Sequence, residues 1–308
     1  MTEQSPYLSV VIPTRDRADV LATTLAALAR QRPVEGGFEV VVADNGSADE
    51  TAAALEAARK SGGLPLRIVR EPRRGPAAAR NAAVRASGGE VLLLLGDDTE
   101  PADEGLLAAH AALHREHRGE EYACLGKIEW SPRTPATEFM RWLDSGGPQF
   151  HYGDLAPGPV ATEEHFYSSH VSLKRSAFER AGGFDERFPY AAVEDTDLGA
   201  RLADGGVGLD YHPELLVWHD HPTSLGQSLA RTERVGSSAA LYNRIRAERP
   251  HGSVREPRPA ARVLAPLATP ALGAVARAPL PAGPRRGIWS LAHRSAYASG
   301  YRKGPPNL

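Results

Sequence analysis

The chain has 308 residues, 42% of them hydrophobic and 24% charged. These are ordinary fractions for a soluble globular protein, and the length suffices to bury a sizeable core. A formal net charge of −2 gives no general drive toward nucleic acid or an anionic membrane. The single cysteine, Cys124, excludes an intrachain disulfide framework and reads as a small buried hydrophobe.

Residues 8–12 (LSVVI) read as a strand ended by Pro13, followed by apolar residues at helical spacing over 19–30. A second strand is expected over 38–43. A helix over 47–60 follows, with Ser47 as its N-cap and Glu50 three residues later in the capping-box pattern. Residues 66–69 form a third strand. An Ala-rich helix over 77–86 is entered through Gly75 and Pro76 and closed by Gly88 and Gly89. The apolar run 91–95 is a fourth, buried strand. Strands alternating with helices in this way specify a parallel sheet.

Regularity then falls. A helix is expected over 106–118 and a strand over 124–130. Residues 131–159 carry Gly, Pro and scattered aromatics, a composition that suits a loop over a site. A strand follows over 168–173, a short helix over 175–181, an amphipathic helix over 194–203, short strands over 208–211 and 215–218, and a helix over 225–248. From Pro250 on, Pro, Ala, Gly and Arg dominate, and both a proline-broken helical tail and disorder fit. No secretory signal is visible, and no apolar run reaches the ~20 residues a spanning helix needs. The expected placement is therefore cytoplasmic, with the tail free to contact the inner face of a membrane.

The fourth strand stops at two adjacent carboxylates, Asp97 and Asp98. In an open α/β sheet, ligands bind beyond the carboxyl ends of the strands, and carboxylates there can hold Mg2+ or Mn2+. An acidic turn is the plain alternative. The first strand ends in Pro13, Thr14 and Arg15, and the second in Asp44 and Asn45, at the same sheet edge. Together these groups suit a nucleotide. Arg80, on the Ala-rich helix, can bond a diphosphate through two guanidinium nitrogens or simply face solvent.

These segments resemble a known family. VVIPTRDR (Val10 to Arg17), VVADNGSADET (Val41 to Thr51), GPAAARNAAVRASGGE (Gly75 to Glu90), LGDDTEP (Leu95 to Pro101), GGFDERFPYAAVEDTDLGARL (Gly182 to Leu202) and VWHDHP (Val217 to Pro222) follow, in order and spacing, the motifs of family-2 glycosyltransferases of the GT-A fold. The resemblance covers residues 8 to 224. It departs at Gly96, which replaces the first acid of the family's D-x-D, and at Asn45, which replaces the second acid of DDGS.

The resemblance implies a mostly parallel twisted α/β sheet flanked by helices. It also implies inverting sugar transfer from a UDP- or dTDP-sugar to a hydroxyl acceptor, with Mn2+ or Mg2+. Asp98 then holds the metal, with His219 as a further ligand and His221 as its competitor, and Asp97 meets the ribose or supports the site. Asn45 pairs with a pyrimidine edge. Asp195 is the general base, Glu194 orients the acceptor, and Asp197 pairs with Arg201 four residues on. Trp142, Phe150 and Tyr152 are candidate stacking surfaces for a sugar or aglycone, or anchors that fix the loop to the core. The expected organisation is a catalytic domain over 1–249, with a donor half over 1–104 and an acceptor half over 105–249, then a helical tail over 250–308 that touches a membrane or a second copy. A sugar-phosphate nucleotidyltransferase and a non-catalytic nucleotide-binding or sugar-binding module are the alternatives. A dinucleotide-binding dehydrogenase is disfavoured, because no G-x-G-x-x-G follows the first strand.

Overall fold

Four strands, β1 (Leu8–Thr14), β2 (Phe38–Asp44), β3 (Leu66–Arg70) and β4 (Val91–Leu95), pair in parallel in the order β3-β2-β1-β4. The computed structural model describes residues 5–145, 147–150, 152–153, 155–246, 254, 256–276 and 282–304. β4 reads as an unbroken apolar run, and β1 as one interrupted only by the buried Ser9, because both faces are covered. Leu92 to Leu95 are all fully buried, each contributing about 1.5–3 kcal/mol by leaving water. Three helices, α1 (Ala18–Ala29), α2 (Thr51–Lys60) and α3 (Pro76–Ala86), connect these strands. Pro76 opens α3 as expected.

The capping box expected at Ser47 does not form, and α2 starts at Thr51 instead. The Ser47 hydroxyl is used elsewhere. It accepts from the Asp16 backbone N–H at 3.0 Å, while the Asp16 carboxylate accepts from Ala48 N–H at 2.7 Å. The loops after β1 and β2 are thereby stitched together at the carboxyl edge of the sheet.

Beyond β4 the chain runs through β5 (Thr99–Pro101), α4 (Leu106–Glu116), β6 (Tyr122–Trp130), α5 (Glu138–Ser145), β7 (Gly158–Val160), α6 (Thr162–His165), β8 (His170–Lys174), α7 (Arg175–Arg180), α8 (Val193–Asp204) and β9 (Gly208–His219). β8 lies antiparallel beside β4, with His170 opposite Leu95. The sheet is therefore mixed, in the order β3-β2-β1-β4-β8-β6-β9-β5, with β7 added on β9. The two short strands expected over 208–218 are one strand. Its pairing to β6 slips between Gly126 and Lys127, so residues 213–215 bulge.

Packing divides the chain into two units: residues 1–135, 155–187 and 194–221 form one, and 136–154, 188–193 and 222–308 form the other. The boundary expected at 249/250 differs from this division, because α9 (Leu225–Ile245) packs with the C-terminal helices α10 (Pro259–Ala276) and α11 (Ala282–Lys303). Ser224 and Gln227 form the capping box that opens α9. Gly236 of α9 and Gly300 of α11 let the two backbones meet. A Cβ on Gly236 would lie 2.1 Å from Tyr297 O, and one on Gly300 would lie 1.8 Å from Glu233 O. In the same unit, Phe139, Trp142 and Leu143 of α5 bury against Leu229, Trp289 and Ala292. Trp142 is thus a core anchor and not a stacking surface, because its ring is spent on that cluster. Phe150 and Tyr152 lie 5.9 Å apart, ring to ring, and remain half-buried.

Candidate active site

β4 ends at Gly96 and turns at once, which delivers Asp97 and Asp98 to the sheet edge. The Thr14 hydroxyl donates to Asp97 Oδ2 at 2.8 Å, tying the ends of β1 and β4 together. Burial and the neighbouring Asp98 charge push Asp97 up to about 6, against the pull of Arg17. Asp98 Oδ2 accepts from Arg17 Nη1 at 3.0 Å and lies 3.4 Å from His219 Nε2. Burial opposes ionisation of Asp98. His219, then Arg17 and His221, outweigh it and hold the carboxyl well below the usual range.

Strand pairing sets this geometry. Thr99 of β5 lies opposite His219 of β9, and Asp220 N–H donates to Asp98 O at 3.0 Å. His219 faces the carboxylate. His221 instead lies with its Nδ1 3.2 Å from Arg17 Nη1. Sequence reasoning missed Arg17 as a site residue. Its signal was a basic residue three positions beyond the end of β1.

The Asp98–His219 pair fits two ligands of one divalent cation. Oxygen and nitrogen donors about 2.1 Å from a common ion stand roughly 3 Å apart at a right angle. No group of three or more His, Cys, Asp or Glu side chains suited to a metal occurs among the described residues. Substrate oxygens and water would have to fill the other positions, as hard cations at phosphate sites allow.

Asp195 stands on the first turn of α8. Its Oδ1 accepts from the Ser168 hydroxyl, and its Oδ2 accepts from Ser168 N–H at 3.2 Å. The next residue, Ser169, accepts from Gly96 N–H at 3.1 Å. Asp195 is thereby tethered to the end of β4, one residue from Asp97. Nothing in the sequence singled out Ser168, since the link crosses 27 residues.

Two expected roles change. Arg80, proposed for the diphosphate, is buried, and its Nη1 donates to the fully buried Glu194 at 3.0 Å. Its guanidinium also lies 5.3 Å from the Phe184 ring centroid. Burial first, then the Asp195 charge, push Glu194 above the usual carboxylate range, against the pull of Arg80. Glu194 Oε2 is buried without a hydrogen-bond partner. Asn45, proposed to read the base, donates through Nδ2 to Glu71 O at 2.9 Å and Arg73 O at 2.7 Å. Its Oδ1 accepts from Gly75 N–H at 2.9 Å. Both amide hydrogens are consumed in strapping β2 to the loop before α3, so Asn45 has no donor left for a base.

The remaining candidates lie at the ends of β1 and β2 and on α8. Asp44 ends β2 and accepts from Ser47 N–H at 2.9 Å. Pro13 and Arg15 flank Thr14, and Arg15 pairs with Asp16 at 3.4 Å. Asp197 is buried and paired with Arg201 at 2.7 Å.

Behind this edge, three buried imidazoles surround Ser172 of β8. His170 Nδ1 must donate to the carbonyl Lys127 O, 3.2 Å away, because a carbonyl only accepts. Burial holds all three rings below their usual pKa and therefore neutral, His170 at about 4 and His114 at about 3. His170 Nε2 then accepts from His110 Nε2 at 3.1 Å. His110 Nδ1 in turn accepts from Ser172 Oγ at 2.9 Å, and Ser172 Oγ accepts from His114 Nε2 at 2.8 Å. One proton arrangement satisfies the whole chain and leaves only His114 Nδ1 without a partner. Gly126 makes room for it, since a Cβ there would lie 2.0 Å from His170 Cε1.

Residues 9–179 match the model of the family described as "Glycosyl transferase family 2". The chain is 29% identical over 280 residues to a validoxylamine A glucosyltransferase of Streptomyces hygroscopicus subsp. jinggangensis, covering 82% of this chain and 63% of the relative. It is 29% identical over 247 residues to the pre-mycofactocin glycosyltransferase of Mycobacterium tuberculosis, covering 76% and 47%. The chain thus spans less than two thirds of the length of these curated relatives. Among solved structures it resembles a mannosyltransferase of Pyrobaculum calidifontis in complex with GDP-Man and Mn2+, with a TM-score of 0.63, 22% identity and coverage of 98% and 88%. It also resembles S. aureus TarS in complex with UDP-GlcNAc, with a TM-score of 0.58, 16% identity and coverage of 96% and 89%. These likenesses show the fold, which is of the GT-A type.

Proposed function

Because the chain belongs to glycosyl transferase family 2, we propose that it moves a sugar from a nucleoside-diphosphate sugar to a hydroxyl acceptor with inversion. The observation that carries this reading is the tether Asp195–Ser168–Ser169–Gly96, which brings a half-exposed carboxylate to the strand end that bears Asp97 and Asp98. In the reaction the acceptor oxygen bonds to the anomeric carbon, the bond from that carbon to the diphosphate oxygen breaks, and its electron pair leaves with the diphosphate. Asp195 takes the acceptor proton, and Ser168 fixes both of its oxygens so that the base is held in one orientation. Asp98 and His219 are the residues that would hold a divalent cation, which when bound stabilises negative charge on the departing diphosphate. Thr14 and Asp97 close the donor side, and Asp44 lies at the adjacent strand end.

Two structural neighbours were solved with different donors, GDP-Man in one case and UDP-GlcNAc in the other. With the Asn45 amide consumed by backbone groups, no residue argues for a pyrimidine over a purine, and the donor is defined only as a nucleoside diphosphate sugar. Calorimetric titration with UDP, dTDP and GDP, each with and without Mn2+, tests the reading. Binding of at least one diphosphate that tightens with Mn2+ is expected. Failure of all three to bind would overturn it, leaving a module without a nucleotide site. Nuclear magnetic resonance of the product's anomeric configuration tests inversion.

A further inference from the structure

The residues after 249 carry a charge opposite to the rest of the chain. Residues 250–308 hold nine Lys and Arg against a single Glu, a net +8 in a chain of net −2, so the first 249 residues carry −10. The same segment holds all four of the exposed large hydrophobic residues among the described ones: Val263 at 63% exposure, Leu264 at 59%, Val275 at 48% and Leu291 at 52%. Within α10 the only charged residue is Arg262, at its start. On α11 the outward positions Arg286, Leu291 and Arg294 alternate charge with an aliphatic side chain. Arg258, Arg286 and Arg294 are exposed, with no ion-pair partner among the described residues.

We propose that α10 and α11 form a docking surface for an anionic bilayer, lying in its interface. Uncovered aliphatic side chains on a helix pair that also carries surplus arginines match the boundary between acyl chains and phosphate headgroups. A second copy docked tail on tail would bring +8 against +8, which argues for lipid over a tail-to-tail dimer. α10 consists of two pieces, Pro259–Ala265 and Ala268–Ala276, bent by 73°. Helices of that length rise roughly 10–14 Å each, short of the ~30 Å hydrocarbon core, so they suit the interface plane. No single helix among the described residues is long and apolar enough to cross a membrane.

The test is co-sedimentation of the full chain with phosphatidylcholine vesicles and with vesicles containing about 30% phosphatidylglycerol, a composition with a marked negative surface potential. Binding to the anionic vesicles only is expected, falling steeply with added salt. The Arg286→Ala, Arg294→Ala variant should bind roughly 25-fold more weakly, at about fivefold per basic residue. The Val263→Ser, Leu264→Ser variant should lose more than about tenfold, as expected for removing two inserted aliphatic chains. Both pairs of side chains are exposed, and circular dichroism and nucleotide binding should match the unaltered chain. Equal binding to neutral and anionic vesicles would overturn the proposal. So would a dimer in sedimentation velocity that Val263→Ser, Leu264→Ser disperses while no vesicles are bound.

Discussion

Arg17 Nη1 donates to Asp98 Oδ2, and that same oxygen is the one nearest His219 Nε2. A guanidinium therefore already neutralises the carboxylate expected to hold a divalent cation. Arg17→Met should tighten Mn2+ binding in the absence of nucleotide by at least about tenfold, since a hydrogen bond to a charged group is worth roughly 1.5–3 kcal/mol. Asp98→Asn should remove the Mn2+-dependent part of nucleotide affinity while leaving the fold intact. Paramagnetic resonance of free Mn2+ reads the first effect and calorimetry the second. Unchanged turnover in excess EDTA would sink the metal assignment.

The Ser168–Asp195 link separates binding from chemistry. Asp195→Asn should lower turnover by roughly 10²–10⁴, the usual scale for a positioned base, with little change in donor affinity. Ser168→Ala should lower kcat by a smaller factor at unchanged KM for the donor, because Ser168 acts only through Asp195. A parallel loss of donor binding would move Asp195 into the donor site.

Arg80 and Glu194 form a pair with almost no access to solvent. Glu194→Ala leaves a buried guanidinium unpaired and should cost about 3–5 kcal/mol in urea unfolding. The double variant Glu194→Ala, Arg80→Met should recover much of that loss. Equal destabilisation of the single and double variants would show that the pair is not coupled.

Asn45→Asp sets a carboxylate against the carbonyls of Glu71 and Arg73. A loss of about 2–4 kcal/mol is expected, from two broken donor bonds and the repulsion that replaces them. Thermal unfolding measures it. Wild-type stability would return Asn45 to the list of base-reading candidates.

The imidazoles of His110, His114 and His170 are held neutral by burial, so their folded pKa values lie below the unfolded value near 6.5. Below that value the unfolded chain binds more protons. Stability from these rings is complete above pH 6.5 and falls as pH drops toward 4. The slope reaches at most roughly 4 kcal/mol per pH unit when all three titrate. Urea midpoints measured between pH 7 and 4.5 should show it. His170→Asn, which keeps a donor for Lys127 O, should flatten the slope by about a third.

The sequence alone determined the first four strands and their helices, because apolar runs and helical spacing are local signals. It also determined which carboxylates stand at strand ends, and the motif order determined the family. It misplaced the cap of α2, split β9 in two and left Trp142 open between a stacking surface and a core anchor, since each outcome depends on a partner distant in sequence. Tertiary structure decided what the polar side chains do. Asn45 and Arg80 had the right chemistry for a nucleotide, but backbone carbonyls and Glu194 claim their hydrogen bonds first. Ser168 carried no recognisable signal and Arg17 only its position just beyond β1, and both acquire their places only when β8 pairs with β4 and β9 with β5. A buried donor or acceptor must be satisfied by whatever folding brings within about 3 Å, and that neighbour is not written in the local sequence.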